Sequence, residues 1–145
     1  MSTVSPDLVR AKIAAFMPRL IALRHALHEE PEIAFEEHKT RAKLAAAISD
    51  TALTLRAPLL GTDIIGELPG RQDRRILLRA DIDALPIMEE SGKPYASRIP
   101  GMMHACGHDA HATMLVGAAL VLNELREHLP VHVRFVWQPG EENAC

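Results

Sequence analysis

"RRILLRAD", residues 74–81, sets an apolar triplet, Ile76-Leu77-Leu78, between charged residues. A short apolar run bounded in this way reads as a strand buried on both faces, the mark of a parallel sheet. Downstream, "VHVRFVWQ", residues 131–138, reads as a second strand, and a helix from about Asp109 to His128 lies between the two. Strand, helix, strand in that order predicts a βαβ unit whose strands, near 75–80 and 131–138, run parallel. Upstream, "DIIGELPG", residues 63–70, is a further short strand. The expected class is α/β: a partial, open, mostly parallel sheet with flanking helices.

The first part of the chain is helical by its periodicity. Ser5 is a candidate N-cap, Pro6 suits the first helical position, and Asp7 suits the first turn. Val9, Ile13, Phe16, Leu20, Leu23 and Leu27 recur at helical spacing and predict one apolar stripe. Pro18 is expected to kink or split this helix. A second helix is expected across "FEEHKTRAKLAAAISD", with Leu44 and Ile48 facing inward.

Composition narrows the partners. At 145 residues, 48% hydrophobic and 24% charged, the chain suits one soluble globular domain. A net charge of −3 and an aromatic content of 3% argue against nucleic acid as a partner. The longest apolar run, Ala112 to Leu122, is too short to span a bilayer, so no membrane partner is expected. The opening "MSTVSPDLVR" lacks the pattern of a secretory signal, and Cys106 and Cys145 make no disulfide framework. A cytoplasmic, reducing compartment is the expected location.

The chemistry concentrates in three stretches. In open α/β sheets, ligands gather at the carboxyl ends of strands. Those ends carry Asp81 and Asp83 in "DID" and Glu141 and Glu142 in "PGEE", and the loop entering the helix carries Cys106 and His108. Thiolate, imidazole and carboxylate together suit Zn²⁺, Mn²⁺, Co²⁺ or Ni²⁺ better than Mg²⁺ or Ca²⁺. The helix N-terminus just beyond is expected to favour the thiolate of Cys106, and Gly107 to take a positive φ. In an extended backbone Glu141 and Glu142 point to opposite sides, so one can bind metal while the other takes a proton from water.

Asp81 and Asp83 either ligate directly or orient a ligating histidine from behind, and Asp83 is alternatively a turn or cap residue before Pro86. His108 and His111 share one helix face. His25, His28, His38, His128 and His132 read as solvated or packing residues. Taken singly, Cys106 reads more readily as a small buried apolar residue and His108 as a capping residue; the two acidic pairs reverse that balance, and Cys106 acting as a nucleophile beside a histidine stays open. Other metal and phosphate motifs are excluded by spacing. "HEEPE" at 28–32 fails HExxH, the deaminase signature is absent, and no P-loop, GxSxG or GxGxxG occurs.

"RADIDALPI", "PYAS", "HACGHDAH" and "QPGEE", in this order, resemble the aminoacylase-type branch of the M20 peptidase family. "LRHALHEEPEIAFEEHKT" resembles the opening of the same proteins. The resemblance implies the N-terminal part of a zinc-peptidase-like catalytic domain and a two-metal amidohydrolase acting on N-acyl amino acids of the hippurate type. It implies that Cys106, His108 and Glu142 are metal ligands, that Glu141 is the general base, and that Asp83 supports the site. It also implies Zn²⁺, Mn²⁺, Co²⁺ or Ni²⁺ as cofactor, two ions per complete site. Members of the family carry two further ligating histidines beyond the "EE" and an inserted lid domain. Residues 1–145 are therefore expected to form a single, incomplete catalytic domain, inactive alone, prone to self-association or to pairing with a complementing chain.

Overall fold

The computed structural model describes residues 4–143, which leaves Cys145 outside the described residues. In chain order come α1 (Pro6–Glu29), α2 (His38–Ala47), β1 (Thr54–Leu55), β2 (Ile64–Leu68), β3 (Gln72–Asp81), α3 (His108–Glu124), a 3₁₀ turn (Arg126–His128) and β4 (Val131–Gln138).

Helix α1 starts where its capping residues predict. Ser5 Oγ accepts the Leu8 N–H at 3.2 Å, and Pro6 is the first helical residue. Pro18 does not split the helix, which runs unbroken to Glu29. The ring deprives the Ala14 carbonyl of its partner, but Ala14 and Pro18 both lie on the exposed side, where water can serve. The apolar stripe is buried only in its second half. Leu20 and Leu27 enter the core, while Leu8 and Ile13 are exposed. In α2, Leu44 is inside, and Ile48 follows it into the core.

The sheet has the order β1-β2-β4-β3. Strands β3 and β4 are parallel and joined through α3, as the βαβ reading requires. The sheet as a whole is mixed rather than mostly parallel, because β1–β2 and β2–β4 pair antiparallel. The reason is the link between β2 and β3, only Pro69, Gly70 and Arg71. A parallel connection needs a crossover of about a dozen residues or more, so this link must reverse the chain. Strand β4 then enters between the two, parallel to one and antiparallel to the other.

Burial alternates along β2 and β4. Ile64, Gly66 and Leu68 share the inner face with Val133, Phe135 and Trp137, against which α3 and α1 pack. On the other face Ile65 and Val136 sit beside an ion-pair group: Glu67 pairs with Arg56 and with Arg134, which hold its carboxyl down to about 2. Strand β3 departs from expectation. It is an edge of the described sheet, and Ile76 and Leu77 are 48% and 57% exposed rather than buried on both faces. With β4 on one side only, its other edge and its outer face meet solvent.

Trp137 anchors the crossover by donating its indole N–H to the Ala112 carbonyl at 3.1 Å. That bond ties the end of β4 to the first turns of α3. Beyond β3, Ile82 N–H extends the ladder to Gln138 O at 3.0 Å, so the carboxyl ends of β3 and β4 leave the sheet side by side. Among the described residues, no helix is long and apolar enough to cross a membrane.

Candidate metal centre

Three segments meet at that edge. Gly107, at φ +101°, turns the chain into α3 and places His108 as its first residue. One donor atom from each of Cys106, His108 and Glu142 lies within 4.8 Å of the others. Cys106 is exposed, His108 buried and Glu142 half-buried, so the cluster sits at a surface with its imidazole held from inside.

His108 is oriented by Asp83. Its Nδ1–H donates to the Asp83 carbonyl at 3.0 Å. A carbonyl can only accept, so the proton is on Nδ1 and the lone pair of Nε2 is free to face the cluster. Nε2 lies 3.9 Å from Glu141 Oε2 and 4.0 Å from Glu142 Oε1. The side chain of Asp83 does a second job: its Oδ2 accepts the Glu142 N–H at 2.9 Å. One buried residue thus fixes both the ring and the turn that carries the two glutamates. Asp81 points elsewhere and pairs with Arg79.

The donor set fits a transition-metal ion. Glu142 Oε1 is buried without a hydrogen-bond partner among the described residues, an arrangement that costs free energy unless something else satisfies it. A thiol sulfur and an imidazole nitrogen lie near the Glu142 carboxylate, with His108 Nε2 4.0 Å from this Oε1. The protonation of Cys106 differs from expectation. Desolvation beside the cluster and the carboxylates of Glu142, Glu141 and Asp81 push its thiol above the ordinary range. A raised thiol weighs against Cys106 as a free nucleophile, which needs a lowered pKa. It suits a ligand whose proton leaves when a cation arrives. Zn²⁺ affinity is accordingly expected to rise about tenfold per pH unit from about pH 6 to pH 8, since one proton is displaced below the raised pKa. Competition titrations across that range check this; a flat profile would exclude Cys106 as a ligand.

Behind this cluster lies a second one that the sequence pattern did not reveal. His28, expected to be a solvated or packing residue, is buried, and its Nδ1 lies 2.7 Å from Asp109 Oδ2. Arg24 Nε approaches the same oxygen at 2.8 Å, and His28 Nε2 lies 3.3 Å from Glu89 Oε1. His25 stacks on Tyr95 with ring centroids 3.9 Å apart. The only hint in the sequence is the spacing of Arg24 and His28 one turn apart on α1. His104, beside them, is driven down to about 4 by burial and stays neutral near pH 7. His111 shares the face of His108, with ring centroids 5.9 Å apart, but is exposed and outside the donor cluster.

Fold and donors together define an α/β segment with a transition-metal donor set at the carboxyl ends of a parallel strand pair. Residues 77–145 match the peptidase family M20/M25/M40. An N-acetylcysteine deacetylase of Bacillus subtilis is 46% identical over 133 residues, covering 90% of this chain and 35% of that protein. An N-acyl-L-amino acid amidohydrolase of Geobacillus stearothermophilus is 42% identical over 125 residues, covering 85% of this chain and 34% of its own length. The crystal structure of a B. subtilis dinuclear metal-binding M20 peptidase superimposes with a TM-score of 0.85 at 45% identity, over 89% of this chain and 37% of that one. Over residues 77–145 the chain is similar to the M20 peptidase family, and it spans about a third of the length of the curated relatives it matches.

Proposed function

We propose that this chain supplies part of the active site of a metal-dependent amidohydrolase that cleaves N-acyl amino acids, hippurate-like compounds included. The observation that carries this reading is the meeting of Cys106, His108 and Glu142 within 4.8 Å, with Glu141 beside them. The relatives support the substrate class, since they are a deacetylase of N-acetylcysteine and an amidohydrolase of N-acyl-L-amino acids.

In this reading Cys106, His108 and Glu142 hold a divalent ion, Zn²⁺, Mn²⁺, Co²⁺ or Ni²⁺. When bound, such an ion supplies Lewis acidity that polarises a carbonyl and brings the acidity of water towards neutrality. Glu141 takes the proton from the attacking water and delivers it to the leaving amine. Its side chain is 41% exposed and reaches the rim of the donor cluster, where a substrate amide can approach. Asp83 keeps the His108 ring and the Glu142 backbone in register. Three donors leave coordination positions open, and the donors that close the shell and hold a second ion lie outside this set. The exposed edge and apolar residues of β3 suit self-association or a complementing chain that brings them. The exposed free thiol of Cys106 suits a reducing, cytoplasmic setting.

The test is release of amino acid from N-benzoylglycine and N-acetyl amino acids with added Mn²⁺ or Zn²⁺, assayed across a size-exclusion profile. Release is expected only in fractions above the 16.0 kDa monomer and only with metal present. Equal specific activity in the monomer peak would show that no further donors are needed. Release that survives exhaustive chelation would overturn the metal-dependent reading.

A further inference from the structure

Between α1 and α2, the segment "IAFEE", residues 33–37, docks against the ends of both parallel strands. Glu32 O accepts the Ala84 N–H at 2.8 Å, just past β3. At the other end Glu37, fully buried, reaches the turn just past β4: its Oε1 accepts the Gly140 N–H at 3.0 Å and its Oε2 the Thr62 hydroxyl at 2.7 Å. Gly140 immediately precedes Glu141 and Glu142.

The local fold commits to this contact at some cost. Phe35 sits at φ +65°, a conformation that a bulky side chain rarely adopts. Its ring lies so close over Gly140 that a Cβ there would come within 2.5 Å of Cζ. Gly140 itself has φ +69°, open to glycine and strained for other residues. Glu37 is also free of the role its position suggests. It precedes α2 but makes no side-chain cap, because Glu32 accepts the Lys39 and Thr40 N–H groups at 3.1 and 2.7 Å instead. A buried carboxyl group is costly unless its oxygens are hydrogen-bonded, and both oxygens of Glu37 are engaged.

We propose that Glu37 is a positioning residue that sets the Glu141–Glu142 turn against His108. The turn is held at two points: Glu37 grips Gly140 from one side and Asp83 grips Glu142 N–H from the other. Loss of the first leaves Asp83 as the remaining hold on the turn among the described residues, with Gly140 free to relax out of its left-handed conformation. The proposal rests on the metal-site reading above, and it acts on Glu142 through the backbone rather than by touching an ion.

Cobalt titration of the 145-residue chain tests it, read by the thiolate-to-cobalt charge-transfer band that reports Cys106 ligation. Glu37→Met keeps the side-chain volume and removes both acceptors; Co²⁺ affinity is expected to fall about tenfold, as when the outer partners of ligands are lost. Glu37→Gln retains an acceptor for Gly140 N–H and an amide that the Thr62 hydroxyl can accept, so wild-type affinity is expected. Glu32→Ala removes the cap of α2 without touching Gly140; it is expected to lower the melting temperature and leave Co²⁺ affinity unchanged. Should Glu37→Met fail to fold, Glu37→Asp carries the test, its carboxyl group drawn back by one methylene and an intermediate loss of affinity expected. Wild-type affinity in folded Glu37→Met or Glu37→Asp would overturn the proposal while leaving the metal site standing. A wild-type chain with no thiolate–cobalt band would instead remove the metal site itself, and this proposal with it.

Discussion

Glu141→Gln is expected to cut amide hydrolysis by about 10²–10⁴-fold, the range that one positioned general base supplies, with metal affinity unchanged. The amide has nearly the volume and reach of the acid but cannot take up a proton. The geometry separates this residue from its neighbour. Glu141 is 41% exposed on its side chain, against 21% for Glu142. Glu142 has its N–H tied to Asp83 and a buried Oε1, without a hydrogen-bond partner among the described residues, 4.0 Å from His108 Nε2. Glu142→Gln should therefore do the reverse in a binding assay and weaken the metal itself. The comparison needs hydrolysis rates and cobalt or zinc titrations on both variants, in the preparation that shows turnover. If Glu141→Gln weakens the metal as strongly as Glu142→Gln, the division between base and ligand is wrong.

How much of this could be read from residues alone differs from segment to segment. "VHVRFVWQ" forms a strand over the whole of Val131–Gln138, because alternating apolar and polar residues leave little choice of period. Ser5 and Pro6 mark the start of α1 for an equally local reason, a side-chain oxygen and a missing N–H in the right order. The direction of β2 was also accessible, since three linking residues cannot carry a parallel crossover. The exposure of Ile76 and Leu77 was not accessible. An apolar triplet looks alike on a central strand and on an edge, and only the strand order tells which it is.

The site follows the same division. Cys106, His108 and Glu142 could be brought together on paper, because strand order and the carboxyl-end rule need only the positions of the elements. Glu37 could not. In "FEEH" it is one of two adjacent acids before a helix, and neither its complete burial nor its bond to a residue 103 positions away leaves a local trace. His28 is hidden for the same reason, since its partner Asp109 lies on a different helix. The upward push on the Cys106 thiol has no local mark: a helix N-terminus can be inferred from sequence, whereas carboxylates gathered near one thiol cannot.

Gly70→Ala is expected to destabilise the fold by about 3 kcal/mol, the upper end for overpacking, because the obstruction is backbone rather than a movable side chain. A Cβ at Gly70 would sit 2.1 Å from both the carbonyl carbon and the oxygen of Val131, and 2.7 Å from His132 N. This is where β4 enters the gap between β2 and β3. Relief requires the link or the start of β4 to move, and the hydrogen bonds holding them together resist. Gly70 N–H donates to His132 Nδ1 at 3.1 Å, Arg71 N–H to Leu129 O at 3.2 Å, and Gln72 N–H to Pro130 O at 3.0 Å. Displacement there propagates along β4, whose far end carries Trp137 and the turn to Glu141. Urea unfolding of the variant should therefore show a lower midpoint with the slope preserved. Gly92→Ala provides the contrast: unlike Gly70, that glycine has a left-handed φ of +63°, but a Cβ there would meet no described atom within 4 Å. Its cost is limited to backbone strain, of order 1 kcal/mol. Equal losses in the two variants would mean that the close approach at Gly70 does not set the order β2-β4-β3.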